Sequence, residues 1–417
     1  MHARLRIDIS RLDLLAALGA ALLARDRPRL ARELEESWSP EGDGVVCLSV
    51  RSGFDLLLAE LDLPVGSEAL VSAVTIPDMA HVLEAHDVTA VPVDLDPETL
   101  APLMNALHRG LTPRTRLLIV AHLFGGRVNL EPLASFSAEH GLLLIEDAAQ
   151  ALRGPDDRGD LRAGVSMFSF GPIKTATALG GALLRVSDPT LRAAMRRRQA
   201  SLPVQPRREH ATRALLFLAL SLLQSPRAYG VFARACRAAG RDLDGVLGGL
   251  VQPFPNPPEP GTTNLRGALV SPFVADIRRQ PSAPLLSLLA RRLRRFDHSR
   301  LSRRAQAGER VRRGLPTGLE LPGARAQEHT HWLVPIVGAE PNGLVRTLRA
   351  AGLDATRAAT SMVALPAPEG RPSPRNASRM MDGIVFVPAY PEVGEAGLST
   401  LGGTLWHAGA RDMARES

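Results

Sequence analysis

The sequence predicts an α/β protein whose mostly parallel sheet is covered by helices on both faces. Between residues 40 and 200, short apolar runs of strand length alternate with helical patterns. The runs are apolar throughout, which is typical of strands buried on both faces of a parallel sheet. A chain of 417 residues is long enough for one large domain and a smaller one.

The elements follow one another in a regular order along the first half of the chain. Five apolar runs predict buried strands over Val45–Val50, Ala69–Ala73, Ala90–Asp94, Arg116–Ala121 and Leu142–Glu146. Helical patterns separate or follow them over Phe54–Leu61, Asp78–His86, Leu100–Gly110 and Glu131–His140. A further strand ends near Ser169, followed by a strand over Gly180–Val186 and a helix over Pro189–Gln199.

Changes of pattern divide the chain into four segments. Residues 1–35 form an N-terminal helical segment and residues 36–199 the large α/β domain. Residues 200–283 interrupt the alternation with helices and a Pro-rich linker, and they are too poor in apolar residues to build a core of their own. Residues 284–417 then form a small C-terminal α+β domain.

The C-terminal domain begins with a long helical pattern that runs from Pro284 to Arg313. Its many arginines are best interpreted as a solvated helix face rather than a stripe that binds nucleic acid. Strand patterns at Trp332–Val337 and Gly383–Pro388, with a helix at Asn342–Ala351 between them, complete the domain.

Composition excludes several classes of protein. The formal charge of +7 is dispersed among 43 acidic residues, which argues against a nucleic-acid partner. Cys47 and Cys236 have neither metal-ligand nor disulfide spacing, so we expect no metal site and a reducing, cytoplasmic location. The most apolar run, Ala214–Leu223, is about half the length of a membrane span, so a membrane partner is not expected.

One of the fifty Lys and Arg residues is a lysine, Lys174, and all the others are arginines. A guanidinium stays protonated and cannot act as a nucleophilic amine. In a chain that uses arginine wherever only charge is needed, the single lysine is a candidate for amine chemistry, such as a covalent bond to pyridoxal phosphate. The alternative, from composition alone, is a surface lysine left by chance.

Polar residues follow several predicted strands, where the ligands of parallel sheets bind. Ser52 and Gly53 could cradle a phosphate or simply cap a helix. Asp147 could pair with a pyridinium nitrogen, or cap a helix with Gln150 as its capping-box partner. His122 is either a site residue or a structural histidine.

In order and spacing, these features resemble the pyridoxal-phosphate-dependent sugar aminotransferases of the DegT type, which have fold type I. The resemblance rests on Asp147-Ala148-Ala149-Gln150 followed by Ser169-Phe170 and then Lys174. It covers residues 40–200 well and residues 280–417 more weakly, so this chain resembles a divergent member.

The resemblance implies a role for each matching residue. Lys174 would be the catalytic amine, bonded to pyridoxal phosphate, and would later move a proton. By the same resemblance, Asp147 would pair with the pyridine nitrogen and Gln150 would contact the ring near its 3-hydroxyl. Ser169 and the Ser52-Gly53 turn would hold the phosphate. Thr75 and His122 fall in segments of the family that contact the cofactor. It also implies a homodimer with shared active sites.

The resemblance implies that the protein transfers an amino group to a keto group of a nucleotide-linked sugar. Members of the family usually take this amino group from glutamate. The chain departs from the family at Ile76, where an aromatic residue is usual. Asn264–Arg266 has the residues of the family's Asn-x-Arg segment, but it lies too early in the chain to take its place. Two alternatives therefore stay open, namely a pyridoxal phosphate enzyme for a non-sugar substrate and a non-catalytic scaffold or regulator.

Overall fold

A seven-stranded sheet organises the protein, whose computed structural model describes residues 1–251 and 272–416. The strands of the described residues are β1 (Gly44–Cys47), β2 (Glu68–Ser72), β3 (Val74–Thr75), β4 (Thr89–Val93), β5 (Thr115–Ala121), β6 (Gly126–Arg127), β7 (Leu143–Asp147), β8 (Val165–Ser169), β9 (Ala182–Val186), β10 (Glu328–His329), β11 (Val334–Val337), β12 (Val363–Ala364) and β13 (Ile384–Val387).

The central sheet has the order β1-β9-β8-β7-β5-β2-β4. Strands β4, β2, β5, β7 and β8 run parallel, whereas β9 pairs antiparallel with both β8 and β1. The predicted fold class, a mostly parallel sheet flanked by helices, is therefore confirmed. Each of the five predicted strands is present, with ends that shift by at most three residues.

Helices cover the sheet and build the rest of the chain. Those of the described residues are α1 (Arg11–Leu23), α2 (Arg27–Trp38), α3 (Val50–Leu61), α4 (Pro77–Glu84), α5 (Met104–Gly110), α6 (Glu131–Glu139), α7 (Pro189–Ser201), α8 (Arg207–Leu220), α9 (Pro226–Ala238), α10 (Leu243–Val251), α11 (Pro272–Ile277), α12 (Ala283–Arg294), α13 (His298–Arg313), α14 (Pro341–Ala350), α15 (Arg375–Gly383) and α16 (Gly394–Glu416).

Both faces of the sheet are buried because alternate residues of a strand point to opposite faces. In β5, Leu117 and Ile119 join the cluster that contains Phe54 of α3. The residue between them, Leu118, joins the cluster that contains Phe136 of α6. This double burial explains why the strands are apolar runs without alternation.

The segment between the two predicted domains contains α8, α9 and α10. Ala214 and Phe217 of α8 belong to the same apolar cluster as Leu14 of α1 and Leu286 of α12. No single helix of the described part is long and apolar enough to cross a membrane, and α8 and α9 satisfy that test only as a pair that is bent by 103°. The Asn264–Arg266 segment and most of the Pro-rich linker lie outside the described residues.

The long helix predicted over Pro284–Arg313 is wrong, because the chain breaks between α12 and α13. Asp297 caps α13, and its carboxylate accepts a hydrogen bond of 2.9 Å from the Arg300 N–H. Phe296, just before this cap, packs on the cluster that contains Leu293. An aspartate in front of a helical pattern is an N-cap signal that the arginine-rich periodicity concealed.

The segment that carries Thr330 and Trp332, in the predicted C-terminal domain, contacts the turn after β5 closely at Gly125. This glycine has a φ of +99°, and its carbonyl oxygen accepts a 2.8 Å hydrogen bond from the Thr330 N–H. A Cβ atom at Gly125 would lie 2.5 Å from the backbone nitrogen of Trp332. Only glycine therefore fits between the turn and the segment that carries Trp332.

We expect Gly125→Ala to lower the free energy of unfolding by at least about 2 kcal/mol, because the backbone contact must open and φ is unfavourable for alanine. Gly141→Ala is the matched control, since Gly141 also has a positive φ, +64°, but nothing lies within 4 Å of its added Cβ. That variant should lose only about 1 kcal/mol. Chemical denaturation of both variants measures the difference, and equal losses would contradict the close-contact explanation.

Candidate active site

A cavity of ≈ 870 Å³ lies beyond the carboxyl ends of β7 and β8. Four of the predicted site residues line it, namely Asp147, Gln150, Ser169 and Lys174. Because β7 and β8 are parallel neighbours, the residues that end them reach the same edge of the sheet. The sheet therefore brings the amine and the carboxylate into one cavity.

Lys174 lies in the turn that follows β8, where its backbone N–H donates a 3.0 Å hydrogen bond to the Gly171 carbonyl. Its amine lies 4.0 Å from the centre of the Trp332 ring, and the indole N–H donates a 2.8 Å hydrogen bond to the Ile173 carbonyl. Burial lowers the pKa of Lys174 to about 8, Asp147 opposes the shift, and the Arg51 charge adds to it. Lys174 is therefore a part-buried amine rather than a surface lysine.

Asp147 ends β7, and its Oδ1 accepts a 3.0 Å hydrogen bond from the Ala149 N–H. Burial raises the pKa of Asp147, while the Ala149 hydrogen bond and the Lys174 charge oppose that rise. Within residues 1–251 and 272–416 this carboxylate forms no ion pair closer than 4.0 Å. Residues 148–153 are not helical, so the capping-box interpretation of Asp147 and Gln150 is wrong.

Gln150 and Ser169 are held at the wall of the cavity by local hydrogen bonds. The side-chain oxygen of Gln150 accepts a 2.9 Å bond from the Phe124 N–H, and its amide lies 3.0 Å from the Met362 sulfur. The Ser169 hydroxyl accepts a long bond, 3.4 Å, from the Gly171 N–H. The Ser169 hydroxyl thus retains its own proton for a ligand.

The N-terminus of α3 opens into the cavity one turn earlier than predicted. Ser49 is the N-cap, its hydroxyl accepting a 3.1 Å bond from the Ser52 N–H, and Ser49 and Arg51 line the cavity. Ser52 and Gly53 do not line it, since Ser52 is only 2% exposed and Gly53 packs against Leu184. The anion-binding end of this helix is therefore formed around Ser49, Val50 and Arg51.

Two other predicted residues do not line the cavity. Thr75 is in β3, opposite Val363 of β12. His122 has partners at both ring nitrogens, because Nε2 lies 2.8 Å from the Glu146 carboxylate and Nδ1 accepts a 3.0 Å bond from the Val128 N–H. The structure thus gives His122 the structural role that the sequence left open.

His122 helps to fix the strand that carries Asp147. Burial alone would raise the pKa of Glu146, but the His122 hydrogen bond and the Arg127 charge lower it to about 2. Arg127 also forms an ion pair with the buried Asp157. The lowered pKa values of Glu146 and Asp157 keep both carboxylates ionised, whereas burial lowers the pKa of His122 and favours its neutral ring. These contacts immobilise β7 one residue before Asp147.

The cavity also contains residues that the sequence did not single out. Trp332, Arg213 and Met362 come from distant parts of the chain and line the same space as Lys174. The sequence predicts a strand that begins at Trp332, whereas β11 begins two residues later, at Val334. No local motif marked these residues, because only the tertiary fold brings them to the sheet edge.

The groups in this cavity have the chemistry that pyridoxal phosphate requires. An amine with a lowered pKa, Lys174, could bond to its carbonyl carbon, and a carboxylate without an ion-pair partner in the described chain, Asp147, could face its ring nitrogen. The N-terminus of α3 and the Ser169 hydroxyl could hold its phosphate. The donor set therefore fits the cofactor.

The lowered pKa of Lys174 is directly testable because the chain has one lysine. We expect labelling of this amine by an acylating reagent, followed by peptide mass spectrometry, to be half-maximal near pH 8 rather than 10.5. Asp147→Asn should move the midpoint down, and Arg51→Gln should move it up, because the two charges act in opposite directions. A midpoint near 10.5, or two shifts of the same sign, would contradict the assigned electrostatics.

Comparisons with known proteins relate part of the sequence and the fold to aminotransferases. Residues 29–212 match the DegT/DnrJ/EryC1/StrS aminotransferase family. The chain is 36% identical over 155 residues to the erythromycin biosynthesis sensory transduction protein EryC1 of Saccharopolyspora erythraea, an alignment that covers 35% of this chain and 41% of that protein. The chain therefore spans about two fifths of the length of this curated relative.

Solved structures extend the similarity of fold to nearly the whole chain. The sugar aminotransferase CalS13 of Micromonospora echinospora superposes with a TM-score of 0.68 at 18% identity, over 98% of this chain and 100% of the other. The aminotransferase TlmJ of Streptoalloteichus hindustanus gives 0.67 at 19% identity, over 96% of each chain. Residues 29–212 are thus similar in sequence to the DegT/DnrJ/EryC1/StrS aminotransferase family, and nearly the whole chain shares the fold of these solved aminotransferases.

Proposed function

We propose that this protein is a pyridoxal-phosphate-dependent aminotransferase that moves an amino group, from glutamate, to the keto group of a nucleotide-linked sugar. The observation that carries the proposal is the presence of Lys174 and Asp147 in one cavity at the carboxyl edge of the sheet. The family match supports the reaction class. The donor and the sugar rest on the resemblance alone.

Lys174 is suited to bond covalently to the cofactor and to carry a proton, because its pKa lies at about 8 instead of 10.5. At pH 7 this shift increases the neutral, nucleophilic fraction of the amine about 300-fold. The Trp332 ring 4.0 Å away attracts the charged form of the amine. Lys174 can therefore both lose a proton for attack and accept one at the same nitrogen.

When bound, pyridoxal phosphate supplies a ring that accepts electrons from the bond broken beside the amino nitrogen. Asp147 would keep a proton on the ring nitrogen, which requires its carboxylate to be ionised. The Ala149 hydrogen bond favours that ionised form against the effect of burial. Glu146, anchored by His122 and Arg127, would hold Asp147 in position.

The phosphate would be held by the N-terminus of α3, by Arg51 and by the Ser169 hydroxyl. Gln150 would lie beside the ring, its amide oriented by the Phe124 N–H. For Ser52, Gly53, Thr75 and His122 we now propose supporting roles, because none of them lines the cavity. Trp332 and Met362 would help to exclude water from the reacting atoms.

We also propose a homodimer in the cytoplasm, with active sites shared between subunits, on the basis of the family resemblance. A second candidate function is regulation without catalysis. The name of the relative EryC1, a sensory transduction protein, favours keeping this second candidate function. A regulator of this kind would bind the cofactor without exchanging an amino group.

Covalent binding of the cofactor tests the assigned amine. After incubation with pyridoxal phosphate and reduction with borohydride, we expect one cofactor per chain, on the peptide that contains Lys174. Lys174→Arg should keep the charge and the fold but carry no cofactor. A yellow Lys174→Arg protein with the cofactor on another residue would overturn the assignment.

Asp147→Asn tests the carboxylate separately. This variant should still bond to the cofactor, because Lys174 is intact, but it should exchange amino groups about 100- to 1,000-fold more slowly, since the charge that supports the ring nitrogen is lost. Stopped-flow absorbance after mixing with glutamate measures the rate. An unchanged rate would mean that Asp147 does not face the ring nitrogen.

A further inference from the structure

The loop that follows Lys174 is held by side chains from four other parts of the chain. Each of its five residues, 175–179, bonds to one of them. In the order of the loop, the partners are Arg304 on α13, Asp8 in the segment before α1, Arg292 on α12, and His210 and Arg213 on α8. The backbone that carries Lys174 is therefore positioned by the surrounding helices as well as by β8.

Asp8 makes the shortest of these five bonds. Its carboxylate accepts a 2.7 Å hydrogen bond from the Ala176 N–H, two residues after the amine. Ala176 has a φ of +52°, a left-handed conformation that costs an alanine on the order of 1 kcal/mol. A hydrogen bond to an ionised carboxylate is strong enough to offset that cost. The Asp8 contact thus stabilises an unfavourable backbone conformation close to Lys174.

Arg292 connects Asp8 to the loop a second time. Its guanidinium donates a 2.6 Å bond to the Asp8 carbonyl and a 3.2 Å bond to the Thr177 carbonyl. The same guanidinium donates a 2.8 Å bond to the Asp13 carboxylate of α1. Arg292 and Asp13 are both buried, so water competes little for these bonds. The N-terminal segment and the loop are therefore fixed to one buried guanidinium.

Arg304 connects the loop to the segment that carries Trp332. It donates a 3.0 Å bond to the Thr175 hydroxyl, next to Lys174, and a 2.9 Å bond to the Thr330 carbonyl. The Trp332 ring, two residues after Thr330, is the one that lies 4.0 Å from the amine. Arg304 thus holds the loop and the Trp332 segment together, while Asp8 holds the loop from the N-terminal side.

A change at Ala176 is transmitted to the amine because only Thr175 separates Ala176 from Lys174. Without the Asp8 bond, the strained φ of Ala176 would relax and redirect the chain on both sides of it. A displacement of about 1 Å at a reacting group can slow a reaction about 100-fold. The position of Lys174 in the cavity therefore depends on Asp8.

We propose that Asp8 is a positioning residue for the reaction, which places the Lys174 amine at the cofactor site by holding Ala176 in its left-handed conformation. Asp8 does not itself line the cavity, so it acts through the loop and not on a ligand. The inference rests on the proposed function, because it assigns Asp8 to the step that Lys174 performs. It gives the N-terminal segment a part in catalysis.

The pH dependence of Lys174 acylation tests the proposal on the cofactor-free protein. Asp8→Ala should raise the midpoint of labelling from near pH 8 to about pH 9 or higher, since an amine that leaves its buried position regains its ordinary pKa. Asp8→Asn should keep the midpoint near pH 8, because its amide oxygen can still accept the Ala176 N–H. Removal of a charge that acted directly on the amine would instead lower the midpoint.

Glu392→Gln is the matched control for the lost charge. Glu392 and Asp8 both pair with Arg300, but the partners of Glu392 are Arg300 and Arg6 and not the loop. This variant should leave the midpoint of Lys174 labelling unchanged. Chemical denaturation verifies that each variant is folded during labelling. If Asp8→Ala fails to fold, Asp8→Ser replaces it, since the serine hydroxyl ends one bond short of the carboxylate oxygens.

The cofactor-loaded protein gives a second measurement, the rate at which glutamate releases 2-oxoglutarate. Asp8→Ala should lower the rate constant at least about tenfold, because the amine is misplaced. The glutamate concentration that gives half the maximal rate should stay the same, since Asp8 does not line the cavity. Asp8→Asn should lose less than about threefold, because the bond to Ala176 remains.

The outcomes separate this inference from the proposed function. A midpoint for Asp8→Ala that stays near pH 8 or falls, an unchanged rate constant in that variant, or an equal effect of Glu392→Gln would overturn the positioning role. Each of those results would leave covalent cofactor binding at Lys174 in the wild-type protein intact. Cofactor bound to another residue of the wild-type protein would instead contradict the proposed function, and the labelling midpoints would still show whether Asp8 positions the amine.

Discussion

The electrostatic relation between Lys174 and Asp147 is the constraint on which the candidate site depends. Burial disfavours the charged form of both groups. It lowers the pKa of the Lys174 amine to about 8 and raises the pKa of the Asp147 carboxyl. Each group opposes the other's shift, because opposite charges favour ionisation. The pair can therefore hold or release a proton near neutral pH, which an exposed lysine cannot do.

The fold holds this pair in place through contacts from both of its sides. Beneath Asp147, the buried network of Glu146, His122 and Arg127 fixes the end of β7. Above Lys174, Trp332 reaches the amine from the C-terminal domain, which Gly125 allows to approach the sheet closely. The site consequently depends on the packing of the Trp332 segment against the sheet as well as on the strand order.

Much of the fold, and the lysine and carboxylate that share the cavity, could be predicted from the sequence. Parallel strands buried on both faces give apolar runs, and the single lysine was visible in the composition. Ser49 and Arg51 were missed because the Ser52-Gly53 pair looked like the start of α3, whereas the N-cap lies three residues earlier. The break before α13 was missed because arginines on both sides continue the same helical period.

Other residues could not be predicted because their role arises from tertiary contacts. Trp332 meets Lys174 across 158 positions of sequence, and its indole N–H bonds to Ile173. His122 follows a strand as a site residue would, but its ring turns toward Glu146. The sequence shows the leucines of α8 only as an apolar run, because their division into cavity-facing and exposed residues depends on how the helix packs.

Release of 2-oxoglutarate from glutamate tests the central claim most directly, because it needs the amine, the carboxylate and the cofactor together. Protein loaded with pyridoxal phosphate and mixed with excess glutamate, without a keto acceptor, should release one 2-oxoglutarate per active site and then stop. Lys174→Arg should release none. A wild-type protein that binds the cofactor at Lys174 yet releases no 2-oxoglutarate from glutamate, and no keto acid from any other amino donor, would contradict the assignment as an aminotransferase.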